Sequence, residues 1–486
     1  MNGPLRRVST VVALLFTALF VSTTLIQVIY APSINARPDN RRTLLDNYSR
    51  ERGTILVGDQ PIAKSVATPN EEIKFLRSYP AGPLYGHVTG YFSYTFGAGG
   101  GLEGSADGLL SGSSDQLFYT RVTDLLTGRT PVGASVELTI NAKAQQAADK
   151  ALGNQRGAVV ALDPKTGAIL AMVSHPQYDP GQLSAHDQGL VIKSWQALTS
   201  DPTQPMVDRT IGGNLYPPGS VFKIVTASAA LESGKVTEQT AIPAPAVMTL
   251  PLTSAGLPNY DRQPCGPNNQ TTLQHALEIS CNTAMGFVGM QVGAQALSDQ
   301  AAKFGFGTTL RIPSRVEPSR FPAGINQAQT AQSAIGQFDV RVTPMQVAMV
   351  SAAIANGGVV MRPYLVQQVL SADLQTIDRT SPQQLGVAVS PTTASTLTRM
   401  LTSVVDNGTG TPARINGVQV AGKTGTAEQG NGKPPHAWFT SFAPAGDPKV
   451  AVAVVVEDGG NAGSEAAGGR NAGPIAKAVM EAVLNQ

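Results

Sequence analysis

An excess of charge of one sign is the first thing that this 486-residue sequence lacks. Its 35 Lys and Arg residues nearly balance 33 Asp and Glu residues, the net charge is +2, and no Lys/Arg run stands out. A basic patch marks a nucleic-acid-binding protein, so we expect no nucleic-acid partner. Gly and Pro are plentiful but scattered, and the apolar share is ordinary. These features predict two or three globular domains rather than a disordered chain.

Motifs for a metal site are also missing. The five His residues belong to no H-E-x-x-H pattern and have no C-x-x-C companion, so we predict neither a metal nor another cofactor. The G-x-S-x-G elbow of α/β-hydrolases is absent as well. His436 stands just before an aromatic pair, and we expect it to line a cleft at a strand end rather than to act as a base.

Cysteine is scarce, with only Cys265 and Cys281 present. They could be two unrelated buried thiols. In an exported protein, an even count at modest spacing favours one disulfide, which would stabilise the fold by about 3 kcal/mol.

One long stretch carries no charge, residues 8–30. At about 1.5 Å per residue it spans a hydrocarbon core of roughly 30 Å, and it is longer than the apolar region of a signal peptide. We therefore predict a retained transmembrane anchor. Arg6 and Arg7 favour a cytoplasmic tail at 1–7. Arg37, Arg41 and Arg42 follow the run and weaken this argument. Large domains translocate largely regardless of flanking charge, so we expect the bulk of the chain, with the catalytic domain, to lie outside the cytoplasm.

Periodicity and composition predict the elements after the anchor. We expect a strand at 135–141, a helix at 142–152, and a hairpin whose turn is 163–167. A second domain should begin near 155. The G-x-G-x-x-G pattern inside the Gly/Ser-rich stretch 96–115 lacks the context of a dinucleotide site, and we predict a mobile loop there.

The C-terminal half divides into helices and then strands. Residues 220–356 read as mainly helical, and strands return in "GVQVAGKTGTAE", "HAWFTSFAP" and "KVAVAVVVED". The last segment begins with a proline and repeats apolar residues every four positions, which predicts a helix with one buried face: Ile475, Val479 and Val483. A sheet with a terminal helix on one face and a helical insertion is an α+β architecture.

The segment "GVQVAGKT" at 417–424 has the letters of a phosphate-binding loop. Such a loop needs a bare turn before its lysine and a helix after it, whereas here the residues alternate as a strand does. On a strand, Lys423 and Thr424 would face opposite sides, and Gly425 would allow another backbone to approach. Thr426 would add a hydroxyl on the lysine side. This arrangement would suit a carboxylate.

Two further motifs place hydroxyls beside amines or amides. In "PPGSVFK", Ser220 opens a helix and Lys223 lies one turn later among apolar residues that could desolvate it and lower its pKa. A capping serine beside a solvated lysine is the common alternative. In "ISCNT", Ser280 and Asn282 stand two positions apart. Alone each motif is weak; together, in this order, they are specific.

The set S-x-x-K, S-x-N and K-T-G resembles the signature of penicillin-binding proteins and serine β-lactamases. The resemblance covers nearly the whole chain and is strongest to class B penicillin-binding proteins, in particular the actinobacterial A group, through "LRR" with one anchor, "RGTIL", "AIGQ", "TPMQVA" and "AAIANGG". It implies a transpeptidase domain at 155–486, with a sheet flanked by helices and a helical subdomain. An elongated pedestal or dimerisation-like domain at 31–154 would precede it. The resemblance also implies the Cys265–Cys281 disulfide.

By this resemblance, Ser220 attacks the D-Ala-D-Ala amide of a peptidoglycan stem peptide, and the acyl group passes to a neighbouring amine. Lys223 would be the base and Ser280 the proton shuttle. Asn282 would bind the donor amide, and the K-T-G strand would bind the carboxylate through Lys423 and Thr426. The backbone N–H groups of Ser220 and Thr426 would form the oxyanion hole. β-Lactam antibiotics would acylate the same serine.

Other functions remain open at this point. A β-lactamase should add a deacylating carboxylate, but no E-x-x-L-N-like segment occurs between 282 and 423. A D,D-carboxypeptidase would use the same acyl-enzyme, and a penicillin-binding sensor would need slow deacylation. The intact motif residues argue against an inactive scaffold. A bifunctional enzyme would also need a glycosyltransferase domain, and the residues before the second domain are too few for one. The resemblance also implies a membrane-embedded glycan polymerase and other wall-synthesis proteins as partners, in division or elongation.

Overall fold

The computed structural model describes residues 2–35, 48–69, 73–117, 126–128, 132–430, 432–465 and 467–485. Its α-helices are α1 (Asn2–Thr24), α2 (Ala31–Asn35), α3 (Gly82–Thr89), α4 (Gly101–Ser105), α5 (Asp107–Leu110), α6 (Ala142–Leu152), α7 (Gly181–Ser184), α8 (Gln188–Ser200), α9 (Lys223–Glu232), α10 (Leu273–Glu278), α11 (Asn282–Val292), α12 (Ala294–Lys303), α13 (Gln327–Ala334), α14 (Pro344–Ala355), α15 (Pro391–Asp406), α16 (Gly468–Asn471) and α17 (Gly473–Leu484).

The strands are β1 (Ile55–Val57), β2 (Gln60–Ala67), β3 (Phe75–Ser78), β4 (Tyr91–Ser93), β5 (Gly97–Gly99), β6 (Ser135–Leu138), β7 (Gly157–Leu162), β8 (Ile169–His175), β9 (Ala241–Pro243), β10 (Val247–Thr249), β11 (Gly256–Pro258), β12 (Gln270–Thr272), β13 (Leu310–Arg311), β14 (Arg315–Val316), β15 (Val359–Met361), β16 (Val366–Leu370), β17 (Thr376–Arg379), β18 (Gln384–Val387), β19 (Ala421–Ala427), β20 (His436–Ala443) and β21 (Val450–Val456).

The N-terminal helix α1 continues through a π-helical turn, Leu25–Tyr30, into α2. Its segment Gly3–Tyr30 is 28 residues long, and the most apolar 18-residue window within it has a mean hydropathy of 2.2 and is not buried by the rest of the structure. By length and composition it can cross a membrane, which suggests a single-pass membrane protein. The arginines that follow the apolar run at positions 37, 41 and 42 lie outside the described residues.

A six-stranded sheet forms the core of the N-terminal part, in the order β17-β16-β6-β1-β2-β3. Strand β1 pairs with β6 in parallel, and the other neighbours are antiparallel. The predicted strand at 135–141 appears as β6. Strands β16 and β17 belong to the later part of the chain, so this sheet is not built from the predicted domain 31–154 alone.

The Gly/Ser-rich stretch 96–115 is not the mobile loop that its composition predicts. It forms β5, α4 and α5, and its side chains Leu102, Glu103 and Leu110 are fully buried. Glu103 receives hydrogen bonds at 2.6 Å from the Nε atoms of Arg52 and Arg77, which are themselves buried. The prediction was wrong because these charge partners lie 51 and 26 residues away in sequence.

The C-terminal part is built on a five-stranded antiparallel sheet in the order β19-β20-β21-β7-β8. Its central strands β20, β21 and β7 are buried along their whole length, because helices cover both faces. Helices α6 and α17 pack on one face through alternate strand residues such as Val452 and Val454. Helix α14 packs on the other face. The predicted hairpin, the helix at 142–152 and the terminal helix are confirmed, with Ile475 and Val479 buried.

A helical subdomain, made of α9 to α13 and α15, lies beside this sheet and confirms the predicted helical insertion. The α+β architecture with a helical subdomain and an N-terminal domain before it is therefore as expected. Helix α6 shares the core of the C-terminal sheet, so by packing it belongs with that body although it precedes residue 155.

Candidate active site

Ser220 lies in a tight turn before a helix. The segment Gly219–Phe222 is a 3₁₀ turn and α9 begins at Lys223, so the serine stands just ahead of the α-helix that the sequence predicts. Gly219 has a φ of +54°, a conformation that favours glycine, and its N–H donates to the carbonyl of Gly336 at 2.9 Å. A Cβ on Gly336 would lie 2.0 Å from the Gly219 carbonyl oxygen. The "AIGQ" segment thus backs the serine turn directly, a role that the sequence did not reveal.

The K-T-G strand β19 packs against the same turn. A Cβ on Gly425 would lie 3.0 Å from Val221 Cγ1 and 3.1 Å from the Pro218 carbonyl oxygen. The predicted close approach of another backbone is therefore confirmed. Gly468 of α16 approaches Gly425 closely too, since its Cβ would lie 2.4 Å from the Gly425 carbonyl oxygen. Side chains at these two glycines would push the serine turn and α16 away from the strand.

Ser280 occupies a strained position between two helices. It follows α10 with a φ of +62°, which is uncommon for a residue with a Cβ and is often found at functional sites. The next residue, Cys281, forms a disulfide with Cys265, with the two Cα atoms 6.1 Å apart. The disulfide that the sequence favours is therefore present, and it fixes the chain immediately after Ser280.

Lys223 is completely buried and makes three contacts with the S-x-N segment. Its Nζ lies 2.7 Å from the Ser280 carbonyl oxygen, 2.7 Å from Asn282 Oδ1 and 3.3 Å from Ser280 Oγ. Burial lowers the pKa of Lys223 well below its usual value, and the charge of Lys423 lowers it further. The sequence anticipated this desolvation, but the capping arrangement with a solvated lysine is wrong.

Lys423 reaches the same hydroxyl from the strand. Its Nζ donates to Ser280 Oγ at 2.8 Å and to the Thr424 carbonyl at 3.0 Å. The side chain is fully buried, and this burial lowers the pKa of Lys423 to about 7. Ser280 therefore joins two lysines whose charged forms disfavour each other.

A cleft of about 1470 Å³ opens over this cluster. Six of the predicted residues line it: Ser220, Ser280, Asn282, Thr424, Gly425 and Thr426. The motifs that are separated by up to 206 positions in sequence therefore meet in one cleft. Asn282 Nδ2 donates to the Pro258 carbonyl at 3.0 Å, so this amide is partly engaged by the protein itself.

Thr424 and Thr426 both line the cleft, because residues two apart on a strand face the same side, so the prediction that Thr426 faces the lysine side and Thr424 the other was wrong. The Thr424 hydroxyl lies 2.7 Å from the hydroxyl of Thr409, which also lines the cleft. Thr409 was not predicted from the sequence, because the "GTGT" segment that contains it matches no pattern typical of a catalytic or binding site.

A charged network at the end of β21 forms another part of the cleft wall. Glu457 is buried and accepts hydrogen bonds from Arg209 Nε at 2.7 Å and the Tyr216 hydroxyl at 2.6 Å. Arg156 Nε pairs with its other oxygen at 2.5 Å. His436 begins β20 and lines the cleft, as predicted, and its Nδ1 accepts the Asp458 N–H at 3.1 Å.

The phosphate-loop letters at 417–424 do not form a phosphate loop. Strand β19 begins at Ala421 and continues past Lys423, and no helix follows the lysine. Residues 418–420 are not strand, contrary to the predicted alternation, because Gly417 turns the chain with a φ of +74°. Among the described residues, no cluster of three or more His, Cys, Asp or Glu side chains could hold a metal ion.

Comparisons with known proteins agree with this geometry. Residues 157–481 match the penicillin binding protein transpeptidase domain, and residues 52–136 match the penicillin binding protein A dimerisation domain. The chain is 44% identical over 495 residues to the peptidoglycan D,D-transpeptidase PbpA of Mycolicibacterium smegmatis, covering 100% of both chains. It is 43% identical over 493 residues to PbpA of Mycobacterium tuberculosis, covering 100% of this chain and 99% of that one.

Solved structures are similar over most of the chain. The ceftriaxone acyl-enzyme complex of penicillin-binding protein A from M. tuberculosis has a TM-score of 0.87 and 43% identity, covering 90% of this chain and 100% of that one. Its penicillin G acyl-enzyme complex has a TM-score of 0.85 and 42% identity with the same coverage. The expected resemblance to class B penicillin-binding proteins of the A group is confirmed. By its fold, its three motifs and these relatives, the chain belongs to the penicillin-binding protein transpeptidase family.

Proposed function

We propose that this protein is a membrane-anchored serine D,D-transpeptidase that cross-links peptidoglycan stem peptides and is inhibited by β-lactams. Ser220 attacks the carbonyl between two terminal D-alanines, D-Ala leaves, and an amine of a neighbouring stem peptide takes the acyl group. The observation that carries this proposal concerns Lys223, which lies one helical turn after Ser220. Its buried Nζ contacts the Ser280–Asn282 segment.

Lys223 is the proposed general base. A neutral amine has two N–H bonds and one lone pair, and two carbonyl-type oxygens, at Ser280 and Asn282, lie 2.7 Å from Nζ. They satisfy both N–H groups, so the lone pair is left to accept a proton from a hydroxyl. The lowered pKa of Lys223 supports a neutral amine near neutral pH, where an ordinary lysine would be charged.

Ser280 is the proposed proton shuttle to the leaving amine. Its hydroxyl lies within 3.3 Å of Lys223 Nζ and 2.8 Å of Lys423 Nζ, so a proton gained by Lys223 has a short path to the cleft. Asn282 holds Lys223 through its oxygen, and its Nδ2 has a second N–H for the donor amide. In this scheme, Lys423 and Thr426 bind the terminal carboxylate, and Thr424 contributes to the same strand surface.

Strand β19 supports recognition of a peptide. It is an edge strand that pairs only with β20 among the described strands, so its outer edge offers unpaired backbone groups. We propose that the stem peptide extends along this edge beside Ser220. The N–H groups of Ser220 and Thr426 then form the oxyanion hole.

The domain roles are also proposals. Residues 1–7 form a cytoplasmic tail, 8–30 the anchor, 31–154 a pedestal, and 155–486 an extracytoplasmic catalytic domain. The pedestal is proposed to contact a membrane-embedded glycan polymerase and other wall-synthesis proteins. The long apolar N-terminal helix and the family match at 52–136 support this arrangement.

The test is intact-mass analysis of the detergent-solubilised full chain after incubation with penicillin G. We expect a single adduct on the peptide that contains Ser220 and none in Ser220→Ala, while Ser254→Ala, an exposed serine, serves as the matched control. Lys223→Ala should slow acylation by roughly 10²–10⁴-fold. Unaltered acylation of Lys223→Ala would show that another group is the base, and an adduct on Ser220→Ala would refute the proposal.

A further inference from the structure

Phe338 has an unusual combination of backbone and side chain. Its φ is +59°, in the left-handed region that favours glycine, and its aromatic side chain is nevertheless 41% exposed. A strained aromatic residue whose ring is only partly buried gains less from folding than a core aromatic residue does, although it costs the same backbone energy. Strain of this kind is typical of sites where a ligand is held.

The ring lines the cleft that contains Ser220. Another half-exposed apolar side chain, Ile279, also lines this cleft and directly precedes Ser280. The cleft therefore presents two apolar side chains: Ile279 directly precedes Ser280, and Phe338 lies in a segment that is hydrogen-bonded to the backbone beside Ser220.

The turn that carries Phe338 is hydrogen-bonded at one end to the serine turn and at the other end to the segment just before that turn. At its start, the carbonyl of Gly336 accepts the N–H of Gly219 at 2.9 Å. At its end, Val342 exchanges two backbone hydrogen bonds with Tyr216, at 2.8 and 3.0 Å. The backbone from 336 to 342 is thus held on both sides of the segment that leads into Ser220.

A third contact fixes the strained residue itself. Arg341 Nη1 donates to the carbonyls of Phe338 and Val340, at 3.0 and 2.9 Å. These bonds hold the peptide after Phe338 in place and offset the cost of its positive φ. The backbone that carries the ring is consequently held at a defined position relative to the serine turn, and 41% of the side chain stays exposed to the cleft.

We infer that Phe338 is a specificity-determining residue that contacts the acyl donor. It would pack on the aliphatic part of the side chain or acyl group immediately before the reacting D-alanine. This inference rests on the proposed function, since it assumes that Ser220 accepts the acyl group. Partial burial of one aromatic ring against an aliphatic chain supplies roughly a tenfold preference or more.

Two D-alanyl thioesters that differ only in the N-acyl group, acetyl or 4-methylpentanoyl, test the inference. Ser220 Oγ forms a bond to the D-alanyl carbonyl, the C–S bond breaks, and the released thiol is measured with the full chain in detergent. We expect the wild type to favour the longer donor in kcat/KM. The ratio should fall about tenfold in Phe338→Gly and be retained in Phe338→Tyr.

Leu374→Gly is the matched control. Leu374 has a φ of +58° and is 62% exposed, but it lies in the turn between β16 and β17, away from the residues that line the cleft. This variant relieves the same backbone strain and should keep the wild-type ratio. An unchanged ratio in Phe338→Gly, or an equal fall in Leu374→Gly, would overturn the inference. Absence of thiol release in the wild type would instead count against the proposed function.

Discussion

At the scale of single residues, the site is governed by two buried lysines that share one hydroxyl. Lys423 and Lys223 both reach Ser280 Oγ, and both side chains are fully buried. Burial disfavours the ammonium form of each lysine. Two ammonium groups on either side of one hydroxyl would also repel each other. One amine can therefore be neutral while the other is charged, which is the division of roles that a base and a carboxylate-binding cation require.

The burial of Lys423 should lower the stability of the fold. Its pKa is about 7 in the folded protein against 10.5 ordinarily, so between these pH values the unfolded chain binds more protons than the folded one. The free energy of unfolding of the wild type should therefore rise with pH across this window, and the penalty is complete below pH 7. We expect Lys423→Met to be more stable than the wild type at pH 7 by up to a few kcal/mol.

The difference should shrink by about 1.4 kcal/mol per pH unit towards pH 10, as measured by denaturant unfolding at several pH values. Replacement of the exposed Lys235 by methionine is the control and should change stability little. A stability difference for Lys423→Met that is the same at pH 7 and pH 9.5 would contradict the burial argument.

At the scale of elements, glycines set the distance between the serine turn and its neighbours. Gly336 and Gly425 each lie where a Cβ would meet the serine turn, at 2.0 and 3.0 Å. These positions were visible in the sequence as members of "AIGQ" and "KTGT", but only Gly425 could be given a physical reason, because it stands on a predicted strand.

We expect Gly336→Ala to reduce the rate of acylation by penicillin at least tenfold, because the new methyl group displaces the Gly219 carbonyl and with it Ser220. Gly417→Ala is a close control: the φ values are +74° and +75° at Gly417 and Gly336, but nothing lies within 4 Å of a Cβ on Gly417. It reports the cost of the backbone conformation alone. Equal losses of acylation in the two variants would show that the steric contact is unimportant.

A second prediction at the scale of elements concerns the disulfide. Cys265 and Cys281 enclose a loop with a sequence separation of 16, so replacing both with serine should lower the free energy of unfolding by about 3 kcal/mol. Because Cys281 follows the strained Ser280, we also expect slower acylation by penicillin at temperatures well below the melting transition. Normal acylation in a destabilised variant would limit the disulfide to a structural role.

Strong local patterns predicted elements well, and contacts between distant segments explain the failures. The helix α6 and the hairpin of β7 and β8 are as predicted, because periodicity and turn residues specify them locally. The stretch 96–115 was predicted wrongly, because its order depends on Arg52 and Arg77. In the site, the motifs identified the reactive residues, but the contact between Lys223 and Asn282 depends on how α9 and α11 meet.

At the scale of the whole molecule, the two bodies are joined by several hydrogen bonds and by a shared core. The Thr139 hydroxyl, just after β6, lies 2.8 Å from the Ile169 carbonyl of β8 and 3.2 Å from the Leu365 carbonyl before β16. Buried residues of both parts, such as Ile55 and Val160, belong to one continuous hydrophobic core. A substitution that destabilises the N-terminal part should therefore also lower the stability of the C-terminal sheet.

Glu103→Gln tests this coupling. It removes the carboxylate that two buried guanidinium groups share, those of Arg52 and Arg77, while Arg52 keeps its contact with Asp107, and it should cost roughly 3–5 kcal/mol of unfolding free energy. Glu317→Gln, which breaks an exposed pair with Arg315, should cost at most about 1 kcal/mol.

The chain has two tryptophans: Trp195 of α8 packs on Phe96 of the N-terminal part, and Trp438 lies in β20, so single-tryptophan variants report on the contact with the N-terminal part and on the C-terminal sheet. Both reporters should shift to the same lower denaturant midpoint in Glu103→Gln. A shift of the Trp195 signal alone would mean that the N-terminal part unfolds independently.

The hairpin of β16 and β17 has a consequence for how the chain folds during synthesis. It completes the N-terminal sheet by pairing with β6, more than 220 residues earlier in sequence. Until that hairpin has emerged from the ribosome, one edge of β6 has no partner strand and is open to wrong pairing. The N-terminal sheet therefore begins to be translated first, but it is completed only after much of the catalytic domain has been synthesised. Folding cannot proceed strictly from the amino terminus.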